Sequence, residues 1–483
     1  MASAAIKSKF YKWHRVLGLI SLVPVIFWTL SGLSHPFMSN WFRPSIAQEV
    51  FKPFAQSQMK PILSLQQVLD KNNLKAIRNF ALINFKGNTF YQVLGQDSIY
   101  NYYSANDGIL LKDGDRLYAT YLARYFTQDS TSNIKKIDYQ TSFDEVYQPI
   151  NRLLPVWKIS FDRPDGMDVY VETGQSRMGT FNNNTRKAFL WTFEQFHTWQ
   201  FLADIGGDTF RNATLLVIMV AMLFSLLSGI IVYGLFWKKF KSIRQNQKAK
   251  GADDKRFVHR FHRQLGLIVS FVMFTFVISG AFHLAVKLHN TETPKADYGM
   301  VINRNELSIS NLQLPLADSL ISHTGLVSFA DSSYYQVTDT KKQIRYFNTL
   351  SGKELNNGDE QYARFLSTYY HNSKRSIQKT GEQQSVKPVK QFTEEYGFIN
   401  KRLPVQQVSY PGNENWYIET TTSKLATKVA GIDRIEGFSF IFLHKYFGMT
   451  WAGKNIRDIV SMLAALGVLV VSLFGFASFI KNK

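Results

Sequence analysis

The sequence has no cysteine among its 483 residues. That excludes disulfides, thiolate-held iron–sulfur clusters and the C-x-x-C-H attachment of c-type haem. Carboxylates are few beside bases: 36 Asp and Glu stand against 56 Lys and Arg, a formal charge of +20. No G-x-G-x-x-G follows a strand, so no flavin or nicotinamide site is legible, and any reducing equivalents must come from elsewhere. The first apolar stretch lacks an A-x-A cleavage site and exceeds the ~7–15 residues of a signal-peptide core, so it reads as a retained anchor.

The apolar residues gather in four blocks, from about Val16 to Phe37, Ala213 to Trp237, Leu265 to Leu288 and Ile459 to Ile480. Each is close to the ~20 residues a membrane-spanning helix needs. The positive charge is equally uneven. Lys7, Lys9, Lys12 and Arg15 precede the first block. The loop "WKKFKSIRQNQKAKGADDKRFVHRFHR" holds ten Lys or Arg against two Asp, and the chain ends "FIKNK". Basic tails and a short basic loop on one side mark that side as cytoplasmic. This charge reads as topogenic and lipid-facing rather than as a nucleic-acid surface. Both termini are then inside and both long segments outside. The expected layout is 1–37 as tail and first span, 38–210 as an outer domain, 211–237 as second span and 238–261 as basic loop. Then follow 262–288 as third span, 289–457 as a second outer domain and 458–483 as fourth span and tail.

The chain repeats itself. "HRVLGLI" from His14 returns as "HRQLGLI" from His262, and each phrase leads to Ser-Gly (Ser31–Gly32, Ser279–Gly280) and a second histidine, His35 or His283. "YYSANDGILLKDGDRLYATYLARYF" from Tyr102 answers "YFNTLSGKELNNGDEQYARFLSTYY" from Tyr346; "INRLLPV" answers "INKRLPV", and "VYVETGQS" answers "WYIETTTS". Finally His197 aligns with His444 and Arg211 with Arg457. Each half starts and ends inside, so the expected fold is membrane α-helical, with four transmembrane helices as two parallel repeats. The outer segments read as α+β: "LSLQQVLDKNN" and "LPLADSLISHTG" as helices, and the stretches after them as strands joined by Lys-Gly-Asn and Asn-Asp-Gly turns. A small antiparallel sheet with a helix against it is the expectation for each.

Six of the ten histidines occupy duplicated positions, all at predicted membrane boundaries. His14 and His35, like His262 and His283, are 21 residues apart. That is about 31 Å of helix, roughly the hydrocarbon thickness. Imidazole is a common axial ligand of haem iron, and polar groups retained in spans tend to be functional. His35, His197, His283 and His444 are expected to converge on the outer side, enough for two bis-histidine haems. His14 and His262 face each other on the inner side, enough for one more or for an electron-entry site. Spacing alone permits pairing within a half or across the halves. Arg15, Arg263, Arg211 and Arg457 are candidates either to pair with haem propionates or to anchor the helices at the interface. His259, His289, His323 and His371 have no clear partner in the other half and read as surface or packing residues, with His259 the first exception to look for.

The doubled H-R-x-L-G-L…S-G phrase, four spans and two outer domains that look like PepSY domains resemble the PepSY-associated transmembrane family of bacterial inner-membrane proteins. That family includes reductases of ferric siderophores. The resemblance covers essentially the whole chain. It implies periplasmic PepSY domains, b-type haem in the membrane, two or more per chain, and one-electron reduction of an Fe(III) chelate so that iron leaves its carrier. The electrons would come from a quinol or a cytoplasmic reductase. By match to the motif, His14 and His262 are the family's histidines; the other four rest on the repeat. A membrane-anchored PepSY protein that binds a periplasmic partner without redox chemistry is the alternative. Transport through the bundle is weaker, because the spans hold almost no carboxylate or lysine to couple ions.

Overall fold

The computed structural model describes residues 4–53, 59, 61–249, 257–289, 297–307, 320–371, 383 and 385–480. Among them the helices are, in chain order, α1 (Ala4–Pro36), α2 (Leu65–Lys71), α3 (Gly114–Thr127), α4 (Asn184–Phe196), α5 (Gln200–Leu235), α6 (Trp237–Ala249), α7 (Phe257–His289), α8 (Gly358–His371), α9 (Gly431–Ser439) and α10 (Lys454–Ile480). The chain packs as two units. One comprises Met1–Arg43, Thr185–Thr293 and Ile432–Lys483; the other comprises Pro44–Asn184 and Pro294–Gly431. Residues 185–210 and 432–457, read from sequence as parts of the outer domains, thus pack with the long helices.

In the first unit α1, α5, α7 and α10 are long and apolar enough to cross a membrane. Helix α1 packs on α5 and α10, and α7 on the same two, so α1 and α7 lie diagonally opposite. A centre of Val25, Met222, Val277 and Val468 fills the middle. Several polar side chains inside the helices bond the preceding turn, which suits hydrocarbon: Thr29 donates to the Val25 carbonyl at 2.7 Å, Ser31 to Phe27 at 2.6 Å and Ser279 to Thr275 at 2.7 Å. Gly207 and Gly453 turn the chain with φ of 79° and 83° as it enters the long part of α5 and α10. A side chain is strained in that conformation.

In the second unit each lobe contains two sheets rather than the single sheet expected. The first lobe has β2 (Asn79–Phe85), β3 (Asn88–Leu94), β4 (Tyr100–Ser104) and β5 (Leu110–Leu111) in that order, following β1 (Ala76–Ile77). Its second sheet is β6 (Ile134–Gln140), β7 (Val156–Phe161), β8 (Asp168–Glu172) and β9 (Arg177–Asn182). The other lobe has β10 (Ile302–Asn303), paired with β1, then β11 (Ile321–Phe329), β12 (Ser332–Asp339) and β13 (Ile344–Asn348) as one sheet. β14 (Ser385–Val389), β15 (Val405–Tyr410), β16 (Glu414–Glu419) and β17 (Lys424–Val429) form the other. Helix α2 and the β2–β3 and β4–β5 hairpins stand where the sequence put them. The helix expected at "LPLADSLISHTG" does not: residues 314–319 lie outside the described residues, and from Ile321 the chain is β11, paired with β12. Cross-strand pairing and burial of Thr324, Leu326 and Val327 override the apparent helical spacing.

Alternation along β2 explains why one strand serves two cores. Ala81, Ile83 and Phe85 face α3, while Phe80 and Leu82 join Ile302, Leu326, Tyr335 and Phe347 of the other lobe in a shared core. A sheet buried on both faces needs its apolar residues at successive positions. The lobes carry matching polar cores. Gln92 donates to Tyr102 at 2.6 Å, which donates to Asp115 at 2.7 Å; Gln336, Tyr346 and Asp359 repeat this at 2.7 and 2.9 Å.

A buried ion cluster also joins the lobes. Glu419, 1 % exposed, takes Arg177 at 2.5 Å and Arg402 at 2.6 Å, and Arg177 also meets Glu172 at 2.7 Å. Arg402 stands where the first half has Leu153. Burial would push the Glu419 carboxyl up, but the two guanidinium charges hold it at about 2. His323 in β11 is held at about 4 by burial and by the charge of Arg177.

Both folded-state values lie below the unfolded ones, so acid favours unfolding. His323 contributes stability that is complete above pH 6.5 and is lost as pH falls towards 4; Glu419 contributes stability complete above about 4.5 and lost towards 2. Thermal unfolding of the full chain between pH 7 and 4 is expected to lose its steepest part in His323→Gln, and equal slopes in the two proteins would refute the assignment. At pH 7, Glu419→Gln should cost roughly 3–5 kcal/mol, because it leaves two buried guanidinium groups to share the single carboxylate of Glu172.

Candidate histidine sites in the helical unit

Two of the duplicated histidine positions meet across the bundle. On the diagonal helices α1 and α7, the rings of His14 and His262 have centroids 6.1 Å apart and planes 34° apart. At the opposite end of the bundle His197, just after α4, and His444, at the end of the π-helical turn Phe440–His444 that follows α9, lie 6.3 Å apart with planes 88° apart. Both of these ring contacts run between the halves.

Each of the four rings is held in one tautomer. A carbonyl oxygen only accepts, so Nδ1–H of His14 donates to Ser225 and Nδ1–H of His262 to Val471, both at 3.0 Å. At the other pair the partners are Ser31 and Ser279, 3.1 and 3.2 Å from Nδ1 of His197 and His444. Their hydroxyl protons point at the Phe27 and Thr275 carbonyls, so they accept from the rings. All four Nε2 atoms keep a lone pair, the form that ligates metals, with the Nδ1 bond raising its basicity. Two imidazole nitrogens each about 2 Å from one metal ion place their ring centroids roughly 6 Å apart. Both pairs have that separation. Among the described residues no group of three or more His, Asp or Glu is arranged round a metal ion, so each pair offers two protein ligands and no cage.

Packing keeps these rings in place. A Cβ on Gly229 would lie 2.8 Å from Cε1 of His14, and one on Gly475 2.9 Å from Cε1 of His262. The rings therefore lie flush on the backbones of α5 and α10. Phe193 stacks on His197 at 4.4 Å and Phe440 on His444 at 4.8 Å. Trp28 donates from its indole to the His197 carbonyl at 2.9 Å and packs on Trp199. Two residues after each of these histidines the chain reverses through an aromatic held left-handed, Trp199 at φ 52° and Tyr446 at φ 51°. Such non-glycine residues are costly to hold and recur at functional sites.

The His14–His262 end encloses a cavity of about 380 Å³. Gly18, Gly229, Gly266 and Gly475 thin its walls, and Arg15, Arg263 and His259 line it. Of the four histidines without a counterpart in the other half, His259 is the one that lines this cavity among the described residues. The remaining candidates are placed differently. His35 packs against Phe193 at 5.6 Å, and His283 gives its Nδ1–H to Glu436 at 2.5 Å, so these two are not brought together as a pair. Arg211 bonds Asp208 at 2.9 Å and Gln200 at 2.5 Å; Arg457 meets Asp458 at 3.3 Å and lies over the Phe447 ring at 4.3 Å. Trp28, Trp199, Tyr446 and Glu436 carry no motif in the sequence, though Ser31 and Ser279 were visible as a repeated Ser-Gly.

Gly229→Ala and Gly475→Ala should each push an imidazole off its carbonyl and lower stability by about 1–3 kcal/mol through overpacking. Gly234→Ala, which meets nothing within 4 Å, should be neutral or stabilising. Thermal unfolding of the three variants checks this, and equal behaviour would refute the close fit.

No curated protein matches the chain. The family model for the PepSY-associated TM region matches residues 113–482, from the first lobe through the second to the end of α10. With that match spanning most of the chain, the protein belongs to the PepSY-associated TM family.

Proposed function

We propose that this protein is an inner-membrane electron carrier that binds haem b at two levels and reduces an Fe(III) chelate, such as a ferric siderophore, on the periplasmic side. The observation that carries the reading is the pair of cross-bundle histidine couples, His14–His262 and His197–His444, each at axial-ligand spacing with Nε2 free. The duplicated sequence supports two parallel repeats related by an axis along the membrane normal. The basic end, with Lys7 to Arg15 and α6, would be cytoplasmic, and the two lobes periplasmic.

Bound haem supplies one-electron redox chemistry at a potential set by its ligands and surroundings. The chain's own residues do the rest. The Ser225 and Val471 carbonyls and the Ser31 and Ser279 hydroxyls orient the imidazoles. Arg15 and Arg263, facing the inner cavity, are placed to receive carboxylates there. Between the two levels Val25, Met222, Val277 and Val468 exclude water from the path. His35 and His283 stand beside the outer pair without a partner ring of their own kind, and are left for substrate contact or for further ligation. The Fe(III) chelate is the substrate, and the donor is a quinol or a cytoplasmic reductase.

Absorption spectra of the detergent-purified chain, oxidised and reduced, with haem counted by pyridine haemochrome, test the proposal. Two haems per chain are expected, with His14→Ala or His262→Ala removing one and His197→Ala or His444→Ala the other. Reoxidation by a ferric siderophore should follow. A colourless protein from haem-replete cells would overturn the reading and favour a membrane-anchored PepSY protein with a periplasmic binding partner.

A further inference from the structure

The two halves of the helical unit differ at their basic end. A second cavity, of about 210 Å³, adjoins the one at His14 and shares Tyr11, Arg15, Leu19 and Phe479 with it; Ser8, Lys12 and Val16 complete its walls. Both Tyr11 and Val16 are more than 40 % exposed on the outer face of α1, so this cavity opens sideways between α1 and α10. At the matching place on α7 the ring of Phe240 from α6 lies over Arg263 at 4.4 Å, and Arg260 sits over Phe261 at 5.2 Å. On that half an α6 ring stands at the arginine, whereas the ring at Arg15 is Phe479 of α10, itself a wall of the side opening.

The wall chemistry selects the occupant. Neither cavity has an Asp or Glu in its lining, while the smaller one is lined by Lys12, Arg15, Ser8 and Tyr11 together with the apolar Val16, Leu19 and Phe479. Lys7 lies over Phe236 and Lys9 over Trp13, outside this lining, while Arg15 lies over Phe479 at 4.8 Å and Tyr11 at 5.9 Å within it. Two cations at the rim of an apolar slot within a membrane favour a negative charge carried on an apolar body. We propose that this side opening binds the anionic head of an amphiphile that enters laterally from the surrounding lipid. The same chemistry is met by the phosphate of an anionic phospholipid and by a carboxylate of a group seated in the inner cavity. The site itself stands whether or not the histidines bind haem.

Native mass spectrometry of the full chain, released from micelles doped with phosphatidylglycerol or phosphatidylcholine, separates the cases. The wild type is expected to retain one phosphatidylglycerol in preference to phosphatidylcholine. Lys12→Gln and Arg15→Gln should each weaken retention roughly five- to tenfold, and Arg260→Gln, on the other half, should not. If the two variants instead keep the lipid and lose a bound cofactor mass, the anion is that cofactor's carboxylate and the lateral amphiphile site is overturned. A wild type that retains lipid selectively but carries no cofactor would remove the haem reading and leave this site standing. Equal retention of lipid and cofactor by wild type, Lys12→Gln and Arg15→Gln, or an equal loss in Arg260→Gln, overturns the proposal. Should Arg15→Gln not fold, Lys12→Gln together with Ser8→Ala carries the test.

Discussion

An imidazole has two nitrogens, and a helix carbonyl that takes the proton of one decides what the other can do. That constraint organises the helical unit. Ser225 and Val471 present their carbonyls where Gly229 and Gly475 leave no side chain in the way, so a ring from the neighbouring helix can lie against the backbone. At the other end the carbonyls of Phe27 and Thr275 act at one remove, through a serine hydroxyl whose proton they occupy. A polar group left unmatched in hydrocarbon costs several kcal/mol. The same scarcity of partners that makes a membrane histidine costly makes its tautomer unambiguous.

The second unit is held by a different balance. Its shared core buries Phe80, Leu82, Tyr91, Leu326, Tyr335 and Phe347, each worth about 1.5–3 kcal/mol when removed from water. The ion cluster of Arg177, Glu172, Glu419 and Arg402 is not comparable as a source of stability, since desolvation offsets most of the attraction in a buried pair. What it contributes is register. Glu419 takes one arginine from each lobe, and Lys424 and Lys401 reach the Leu154 carbonyl and Asn151 across the same seam. Apolar surfaces alone would tolerate sliding; charges that must meet do not.

The spans, the basic end and the duplicated histidines were all legible in the chain, because membrane helices and repeats are written in composition and order. Partner choice was not. Pairing His14 with His262 follows from the diagonal placement of α1 and α7, which no spacing within a single helix reveals. His283 and His35 occupy matching positions, yet Glu436 stands beside His283 while its counterpart in the sequence, Phe189, packs on Phe37 and Phe42. That divergence is invisible until the two histidines are read with their neighbours in space. In the second unit the β2–β3 and β4–β5 hairpins were readable from alternation and turn residues. The start of β11, from Ile321 to Gly325, was not, because Leu316, Leu320 and Ile321 mimic helical spacing in the sequence and only the pairing with β12 decides the matter. The second sheet of each lobe escaped for a similar reason: β6 and β17 are partly exposed, without a clean apolar pattern.

The shared core has a consequence for the order of events during synthesis. Met59, Leu65, Phe80 and Tyr91 emerge early, but the surfaces that cover them, from Ile302 to Phe347, follow only after α5 and α7 have been made. At about 5–20 residues per second the first lobe waits on the order of ten seconds or more with one apolar face uncovered. Throughout that interval its exposed sheet must be kept from other chains. The two lobes therefore reach their final form as a single event, late in translation, and no truncation between them leaves a finished piece.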